Sequence, residues 1–232
     1  VALHGLLGAH SETPVPLIGL LVVSFEAVSK ETRWLFQKGV RTFKLKVGRD
    51  IPHDLRKIEK VEKFVGGRGI LRLDANQSWS LKEAMEFARA LPQEDIEYIE
   101  EPFRDPSPGK IRDFFQATGI PVALDESLMK MNPDDLTAII SGVKAIILKP
   151  TLLGGIERAL CFIRKARMLG ITPIVSSSFE SGVGLLTLAQ LAMVNGGVPV
   201  GLDTQKWFQQ DLIKGPARIK LKRGRLQISP KP

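Results

Sequence analysis

The sequence predicts an α/β fold in the form of a closed parallel (β/α) barrel of the TIM type. The chain contains eight short apolar segments rich in β-branched residues, and seven of them end in a polar residue. Stretches with the apolar spacing of amphipathic helices lie between them, and the ends of successive segments follow one another at nearly constant intervals. A strand followed by a helix, repeated, indicates parallel pairing, and eight such units are typical of a closed barrel.

The predicted strands cover residues 16–21, 42–46, 70–74, 96–100, 122–125, 145–149, 172–176 and 200–203. An open doubly wound sheet is disfavoured, because no glycine-rich phosphate-binding turn follows the first strand. Helices are predicted over 80–91 and 156–169. The first of these begins with a capping-box pattern formed by Ser80 and Glu83.

The pattern divides the chain into three parts: a remnant of an N-terminal segment, the catalytic barrel, and a basic C-terminal extension with a hairpin over 218–228. We place them at residues 1–15, 16–205 and 206–232. The chain of 232 residues has a net charge of +8, and its last part carries eight basic side chains against one acidic side chain. The remainder is close to neutral, which argues against a dedicated nucleic-acid-binding protein.

The cysteine content and the lengths of the apolar runs restrict the metal sites, membrane contacts and cellular location that we expect for the protein. Cys161 is the single cysteine, so an internal disulfide framework and a multi-cysteine zinc site are excluded. No apolar run approaches the roughly 20 residues that a membrane-spanning helix requires, and we therefore expect no membrane partner. The sequence fits a cytoplasmic protein, or one of the plastid stroma in a photosynthetic eukaryote. It leaves the oligomeric state open.

Charged residues end five successive predicted strands: Lys46, Asp74, Glu100, Asp125 and Lys149. In a parallel barrel the carboxyl ends of the strands form the mouth, where catalytic groups project. Any one of these side chains alone could cap a helix or reach solvent. Together they indicate a site, because charges that point into a barrel must be paired or bind an ion.

The three carboxylates are predicted to hold a divalent metal ion. Asp74, Glu100 and Asp125 end adjacent strands and would converge on one side of the mouth. Their mutual repulsion is relieved by a hard cation. Ligation by oxygen alone favours Mg²⁺, with Mn²⁺ as the other possibility, over zinc.

The two lysines at the strand ends suggest proton transfer. Lys46 and Lys149 lie four strands apart in a ring of eight, so they would face each other with a small-molecule carboxylate substrate between them. This arrangement suits removal of a proton next to a carboxylate, where a metal neutralises the enediolate. Lys44 lies on the same strand face as Lys46, and we expect it, with the metal, to lower the pKa of Lys46.

Five short motifs include the charged strand ends and their neighbours: Lys44-Leu45-Lys46, Asp74-Ala75-Asn76, Glu100-Glu101-Pro102, Asp125-Glu126-Ser127 and Lys149-Pro150. Together they resemble the enolase superfamily, in its lysine-base, muconate-cycloisomerase-like subgroup. Further runs at residues 72–79, 148–151, 176–181 and 201–204 resemble the o-succinylbenzoate synthase branch of that subgroup. The resemblance implies the C-terminal barrel domain of this superfamily, with the N-terminal α+β capping domain of relatives largely absent from this sequence.

The resemblance also implies a reaction and roles for the residues. The reaction is a Mg²⁺-dependent syn dehydration of 2-succinyl-6-hydroxy-2,4-cyclohexadiene-1-carboxylate to o-succinylbenzoate, on the route to menaquinone or phylloquinone. Lys46 would be the base and then the proton donor, Lys149 would stabilise the enediolate, and Lys44 would support Lys46. The metal ligands would be Asp74, Glu100 and Asp125. The candidate substrate-binding residues are Arg72, Asn76, Ser176, Ser177, Ser178, Glu180, Gly201 and Asp203.

Several other functions remain open from the sequence. Racemisation of an N-acylamino acid, epimerisation of a dipeptide and cycloisomerisation would all suit two opposed lysines. Asp203-Thr204-Gln205 differs from the Asp-x-Asp pair of dipeptide epimerases, which weakly disfavours that branch. Two hypotheses of another kind are a non-catalytic basic barrel that binds nucleic acid or anionic surfaces through its tail, and an inactive fragment that still binds Mg²⁺.

Overall fold

A computed structural model describes residues 3–7, 14–92, 95–212 and 219–228. Its main feature is a parallel sheet of seven strands, β2 to β8, in which each strand pairs with the next along the chain. The strands are β1 (Val15–Pro16), β2 (Ile18–Leu21), β3 (Thr42–Lys46), β4 (Ile70–Asp74), β5 (Ile96–Glu100), β6 (Val122–Leu124), β7 (Val143–Leu148), β8 (Thr172–Val175), β9 (Ile219–Lys222) and β10 (Arg225–Ile228). The prediction of a parallel α/β fold is confirmed.

Helices follow most strands of this sheet. They are α1 (Leu3–Leu6), α2 (Val28–Gln37), α3 (Ile51–Val65), α4 (Leu81–Arg89), α5 (Pro108–Thr118), α6 (Pro150–Leu153), α7 (Ile156–Met168) and α8 (Gly182–Val194). Between β6 and β7 the chain forms two 3₁₀ segments instead, Glu126–Lys130 and Pro133–Ile139. The predicted capping box is confirmed, because the Ser80 hydroxyl accepts from the Glu83 N–H while the Glu83 carboxylate accepts from the Ser80 N–H.

The first and last predicted strands were wrong in their extent. Residues 16–21 divide into β1 and β2, which belong to different sheets. Residues 200–203 form no strand: Val200 bridges to Leu17 and Gly201 to Ser176, each in parallel. Pro199, which has no N–H to donate, precedes this short segment. The chain then turns at once into a 3₁₀ segment, Gln205–Trp207.

The residues that bridge at this point contact both outer strands of the seven-stranded sheet. The Ile18 N–H donates to the Val200 carbonyl at 2.9 Å, and the Gly201 N–H donates to the Val175 carbonyl at 3.0 Å. Ile18 belongs to β2 and Val175 to β8, so one short segment joins the first and last strands of the sheet through backbone hydrogen bonds.

A small apolar cluster supports the candidate site from below. Its buried members are Ile18, Tyr98, Ala123, Ala145, Ile147 and Ile174, and it is separate from the larger core in which the helices pack against the sheet. Side chains two residues apart on a strand share a face. Glu100, Asp125 and Lys149 each follow a member of this cluster by two residues. The charged groups therefore lie one layer above an apolar floor.

The C-terminal hairpin packs at the opposite end of the sheet. Strand β10 pairs antiparallel with β9 and with β1, which gives a second sheet in the order β1-β10-β9. At the turn, the Gly224 N–H donates to the Lys38 carbonyl at 2.7 Å and the Gly224 carbonyl accepts from the Leu17 N–H at 2.9 Å. Lys38 and Leu17 precede β3 and β2, so the hairpin contacts the end of the sheet away from the charged strand ends.

None of the helices in the described ranges is long and apolar enough to cross a lipid bilayer.

Gly224 is predicted to be indispensable for docking the hairpin. Its φ is +71°, and a Cβ there would come 2.0 Å from the Gly39 carbonyl oxygen. Gly119 has nearly the same φ, +72°, with no atom within 4 Å of a Cβ. We expect Gly119→Ala to lower the unfolding free energy by about 1–2 kcal/mol through backbone strain. Gly224→Ala should cost a further 1–3 kcal/mol or so, because backbone atoms must move.

The measurement is urea unfolding of both variants beside the wild type, with limited proteolysis to locate any loosened segment. Equal losses of stability in the two variants would contradict close packing at the hairpin turn.

Candidate active site

Lys44 forms the buried centre of the charged strand ends. Its ammonium lies 2.6 Å from Glu100 Oε1 and 2.9 Å from Asp74 Oδ2. The two carboxylates are almost fully buried, at 1% and 2% exposure, and the Lys44 side chain is 15% exposed. Strands β3, β4 and β5 bring the three groups together, because Lys46 pairs in register with Asp74 and Asp74 with Glu100.

Lys46 and Lys149 extend this cluster towards solvent. The Lys46 ammonium donates to Asn76 Oδ1 and lies 3.6 Å from Asp74 Oδ2. Its side chain is 45% exposed, three times as much as that of Lys44. Lys149, directly after β7, pairs with the buried Asp125 carboxylate, which lies directly after β6. Both of these residues were predicted as strand ends and instead stand one residue beyond their strands.

The pKa values of the buried groups reflect their mutual charges. Burial disfavours the charged form of Lys44, but the carboxylates of Glu100, Asp74 and Asp125 outweigh it and raise the pKa of Lys44 well above its usual range. Burial raises the pKa of Glu100 well above its usual range, and the charges of Asp74 and Asp125 add to this effect. Asp74 is also buried, but Lys44 and Lys46 lower its pKa. The structure therefore gathers three carboxylates close enough to repel one another.

The oxygen atoms of this cluster fit the chemistry of a hard divalent cation. Glu100 Oε2 is buried and has no hydrogen-bond partner among the described residues, which is a costly state for a carboxylate oxygen. No three His, Cys, Asp or Glu side chains in the described ranges form a ready-made metal site. Lys44 and Lys149 neutralise the carboxylates here, so a bound cation would have to share or replace their contacts.

A cavity of about 400 Å³ opens above the cluster. Seven of the polar side chains that line it belong to predicted site residues. Apolar walls complete it, and Phe179 and Trp207 lie at the mouth with their ring centroids 5.9 Å apart. The predicted residues that line the cavity are Lys44, Lys46, Asp74, Asn76, Lys149, Ser176, Ser177 and Gly201. The structure thus places the two candidate proton-transfer lysines, Lys46 and Lys149, on one cavity.

Hydroxyl groups line the side of the cavity formed by β8 and the residues that follow it. The Ser176 and Ser177 hydroxyls donate to the Gly201 carbonyl at 3.2 and 3.1 Å. Ser177 Oγ also lies 2.7 Å from Thr204 Oγ1, a residue that the sequence did not single out. Gly201 admits this packing, because a Cβ there would come 2.5 Å from Ser176 Oγ.

Four predicted substrate-binding residues do not line this cavity. Arg72 is 3% exposed, lies one layer below Asp74, and donates to the Glu97 carboxylate at 2.6 Å. Its guanidinium stacks over the Tyr98 ring. Asp203 accepts from the Leu20 N–H at 3.0 Å and from Lys206 at 2.7 Å.

The other two, Ser178 and Glu180, bond to each other and to Thr151 beside the cavity. Those hydrogen bonds lower the pKa of Glu180 despite its partial burial. Neither side chain reaches the cavity that holds Lys46 and Lys149.

Glu101 is a structural residue that sequence reasoning missed. Its backbone adopts φ +41°, which turns its side chain away from that of Glu100. Oε1 accepts from the Asp125 and Ser127 N–H groups at 2.8 and 2.7 Å, and Oε2 accepts from Ser127 Oγ and Gln77 Nε2 at 2.8 and 3.0 Å. Glu101 therefore joins the loops after β4, β5 and β6 and holds the backbone of Asp125. The signal in the sequence was the doubled glutamate before Pro102.

Replacement of Glu101 by glutamine should destabilise the chain. The amide would direct an N–H₂ group at a backbone N–H or at a side-chain donor, which leaves buried donors unpaired at a cost of about 1–3 kcal/mol. Urea unfolding measures the loss. Glu86→Gln serves as the matched control, since Glu86 is 54% exposed on α4 and surface changes cost within about 0.5 kcal/mol. Equal stabilities for the two variants would contradict the role given to Glu101.

Two curated proteins, one from a plant and one from a bacterium, are similar to this chain in sequence. The chain is 34% identical over 208 residues to Protein PHYLLO, chloroplastic, of Arabidopsis thaliana. The aligned region covers 80% of this chain and 12% of that protein. It is 40% identical over 149 residues to the o-succinylbenzoate synthase of Vibrio cholerae serotype O1, covering 61% of this chain and 44% of that enzyme. The chain thus spans less than half the length of these curated relatives.

Solved structures share the same fold. MenC from Desulfotalea psychrophila superposes with a TM-score of 0.81 at 27% identity, over 95% of this chain and 62% of that one. The L-Ala-D/L-Glu epimerase from Bacillus subtilis superposes with a TM-score of 0.85 at 25% identity, over 99% and 64%. The family model described as enolase C-terminal domain-like matches residues 27–232. Because that match takes in most of the sequence, the chain belongs to the enolase C-terminal domain-like family, as its strand-end motifs predict.

Proposed function

We propose that this chain forms the catalytic part of a Mg²⁺-dependent o-succinylbenzoate synthase. The reaction is the syn dehydration of 2-succinyl-6-hydroxy-2,4-cyclohexadiene-1-carboxylate to o-succinylbenzoate. The observation that carries the proposal is the position of Lys46 and Lys149 on one cavity whose floor holds the Asp74 carboxylate. The 40% identity to an o-succinylbenzoate synthase favours this substrate.

Asp74, Glu100 and Asp125 would hold the metal. Their oxygens suit Mg²⁺, and Glu100 Oε2 is buried with no hydrogen-bond partner in the part of the chain that the structure describes. When bound, Mg²⁺ supplies a positive charge that stabilises negative charge developing on the substrate carboxylate. A neighbouring structure, a dipeptide epimerase of Enterococcus faecalis, is a complex with Mg and a dipeptide.

Lys46 is assigned as the base because of its position relative to Lys44. Lys44 is fixed as a cation between two carboxylates, so it cannot accept a proton readily. Lys46 reaches the cavity with one carboxylate partner instead of two and with greater exposure. In its neutral form Lys46 takes the proton from the carbon next to the substrate carboxylate. The same ammonium then returns that proton to the hydroxyl on the same face, the C–O bond breaks, and water leaves as the ring becomes aromatic.

Lys149 would stabilise the transition state electrostatically. Its ammonium is anchored to the Asp125 carboxylate and lines the same cavity as Lys46. A fixed cation beside the substrate carboxylate favours the charge that develops when Lys46 removes the proton. The anchoring contact holds Lys149 in place before the substrate binds.

A second candidate function is epimerisation of a dipeptide. The superposition with the L-Ala-D/L-Glu epimerase favours it, and proton transfer on two faces would use Lys46 and Lys149 as two bases. The two functions are separated by direct assay: loss of the cyclohexadiene absorbance reports dehydration, whereas exchange of solvent deuterium into L-Ala-L-Glu reports epimerisation. Epimerisation without dehydration would contradict the synthase proposal.

We further propose that the sheet closes into a complete barrel. The hydrogen bonds of Val200 to Ile18 and of Gly201 to Val175 support closure.

The bacterial and chloroplastic relatives agree with the predicted cytoplasmic or plastid setting, and the substrate proposed here is a small molecule.

Glu100→Gln should separate metal binding from folding. A carboxyl with a higher pKa in the folded than in the unfolded chain destabilises the folded chain at neutral pH, and the cost falls as the pH drops below the folded pKa. Without metal, we expect the variant to be at least as stable as wild type at pH 7, with the difference shrinking as the pH falls. Mg²⁺ at 100 times its Kd should stabilise wild type by about 2.7 kcal/mol and the variant far less.

Urea unfolding with and without Mg²⁺ measures both effects, and Glu86→Gln is the control that should respond as wild type does. An undiminished response to Mg²⁺ in Glu100→Gln would remove Glu100 from the proposed ligands.

Lys46→Ala should abolish dehydration without abolishing metal binding. General acid–base groups contribute about 10²–10⁴-fold to rate, and Lys46 is assigned both proton transfers, so kcat should fall by at least that factor. Ultraviolet absorbance of the cyclohexadiene follows the reaction, and stabilisation by Mg²⁺ shows whether the site is intact. Lys82→Ala is the control, because Lys82 is 87% exposed on α4. Turnover retained in Lys46→Ala would exclude Lys46 as the base.

A further inference from the structure

A second cavity adjoins the candidate active site and has a different character. Its volume is about 630 Å³, and it lies among the residues that follow β2, β3 and β4. Val22, Lys46 and Asn76 line both cavities, so the two spaces meet at the proposed base. The two spaces therefore adjoin across the side chains of Lys46 and Asn76, which contact each other.

The ionisable side chains that line this second cavity are predominantly basic. Arg49, His53 and Lys57 line it together with Lys46, and Asp54 is the acidic side chain among its lining residues. The Asp54 carboxylate is already used by the backbone, because Oδ2 accepts from the Gly48 N–H at 2.7 Å and from the Arg49 N–H at 3.3 Å. The cavity thus presents three cationic side chains, those of Lys46, Arg49 and Lys57, against one carboxylate.

Arg49 and Lys57 have donors to spare. Within the described part of the chain, neither the Arg49 guanidinium nor the Lys57 ammonium forms a salt bridge or a hydrogen bond. Lys57 is 9% exposed, and burial lowers its pKa, which the charge of Asp54 partly offsets. A buried ammonium without a paired anion is costly. An anionic group entering this cavity would relieve that cost.

We propose that this second cavity is a subsite for a second carboxylate of the substrate, bound by Arg49 and Lys57. The inference rests on the proposed function, whose substrate carries one carboxylate on the ring and another at the end of the succinyl chain. With the ring carboxylate beside Lys149 and the metal ligands, the chain passes Lys46 and Asn76 into the basic cavity. Val22, shared by both cavities, offers an apolar surface to its methylene groups.

In this proposal, the residues that select the substrate are different from those that transfer the proton. A bidentate guanidinium and a neighbouring ammonium suit a terminal carboxylate. A substrate that ends in a methyl group would leave both cations unpaired, so discrimination should be strong. Arg49 and Lys57 are therefore specificity-determining residues, distinct from the base and the metal ligands.

The test compares two ligands that differ only in the terminal carboxylate. Calorimetry with the full chain and Mg²⁺ measures Kd for o-succinylbenzoate and for 2-butyrylbenzoate, in which a methyl group replaces the carboxylate. We expect wild type to favour o-succinylbenzoate by roughly tenfold or more, as charge-assisted hydrogen bonds allow. Arg49→Met and Lys57→Met, which keep the side-chain length, should reduce that preference severalfold and leave the affinity for 2-butyrylbenzoate unchanged.

Arg56→Met is the matched control, because Arg56 is exposed on the same helix and lies outside the cavity. A wild-type preference that is absent, or that survives in both Arg49→Met and Lys57→Met, would overturn the subsite. Failure of the proposed function is recognised separately, as a lack of dehydration by the wild-type chain. Circular dichroism of each variant shows that a changed Kd does not come from unfolding.

Discussion

The ion cluster around Lys44 is the constraint on which the arrangement of the site depends. Two almost fully buried carboxylates would be very costly to ionise alone, and a buried ammonium between them offsets part of that cost. The pairing holds only if β3, β4 and β5 keep their register. A slip of one residue would turn these charges towards the helices, where the main apolar core lies. The register of β3, β4 and β5 that pairs these charges is therefore also the register that forms the cavity.

The site divides into two layers with different physical tasks. The apolar cluster below the mouth holds the strands together through side chains such as Ile147 and Ile174. Two residues further along each strand, the polar layer carries groups that are costly to bury. The Glu101 carboxylate, with four hydrogen bonds to the two neighbouring loops, fixes the backbone around Asp125. The stability of the lower layer thus supports the strained, charge-rich upper layer.

Much of this was predictable from the sequence because each strand follows a simple rule. An apolar run that ends in a charge places that charge at the mouth, which sufficed for Lys46, Asp74 and Glu100. Arg72, which the resemblance placed among the substrate-binding residues, lies one layer too deep, since the face of a strand follows from the two-residue period but the depth along it does not. Glu101 escaped notice because its role depends on a positive φ and on contacts with loops that are distant in sequence. The short segment at Val200 forms isolated β-bridges and not a strand. Composition could not predict this difference, because it depends on which backbone groups pair.

Lys44 and Lys46 illustrate how depth alone can give two identical side chains different chemistry. They share a strand and a face, yet Lys44 lies between two carboxylates that hold its charge, while Lys46 meets one carboxylate at 3.6 Å and one amide. A lysine whose cationic form is strongly favoured is a poor base but a stable counter-charge. A lysine at the cavity surface can exchange its proton with substrate or solvent. The different roles proposed for the two lysines need no difference in residue type. They need only the two-residue separation along the strand, which rises about 3.3 Å per residue.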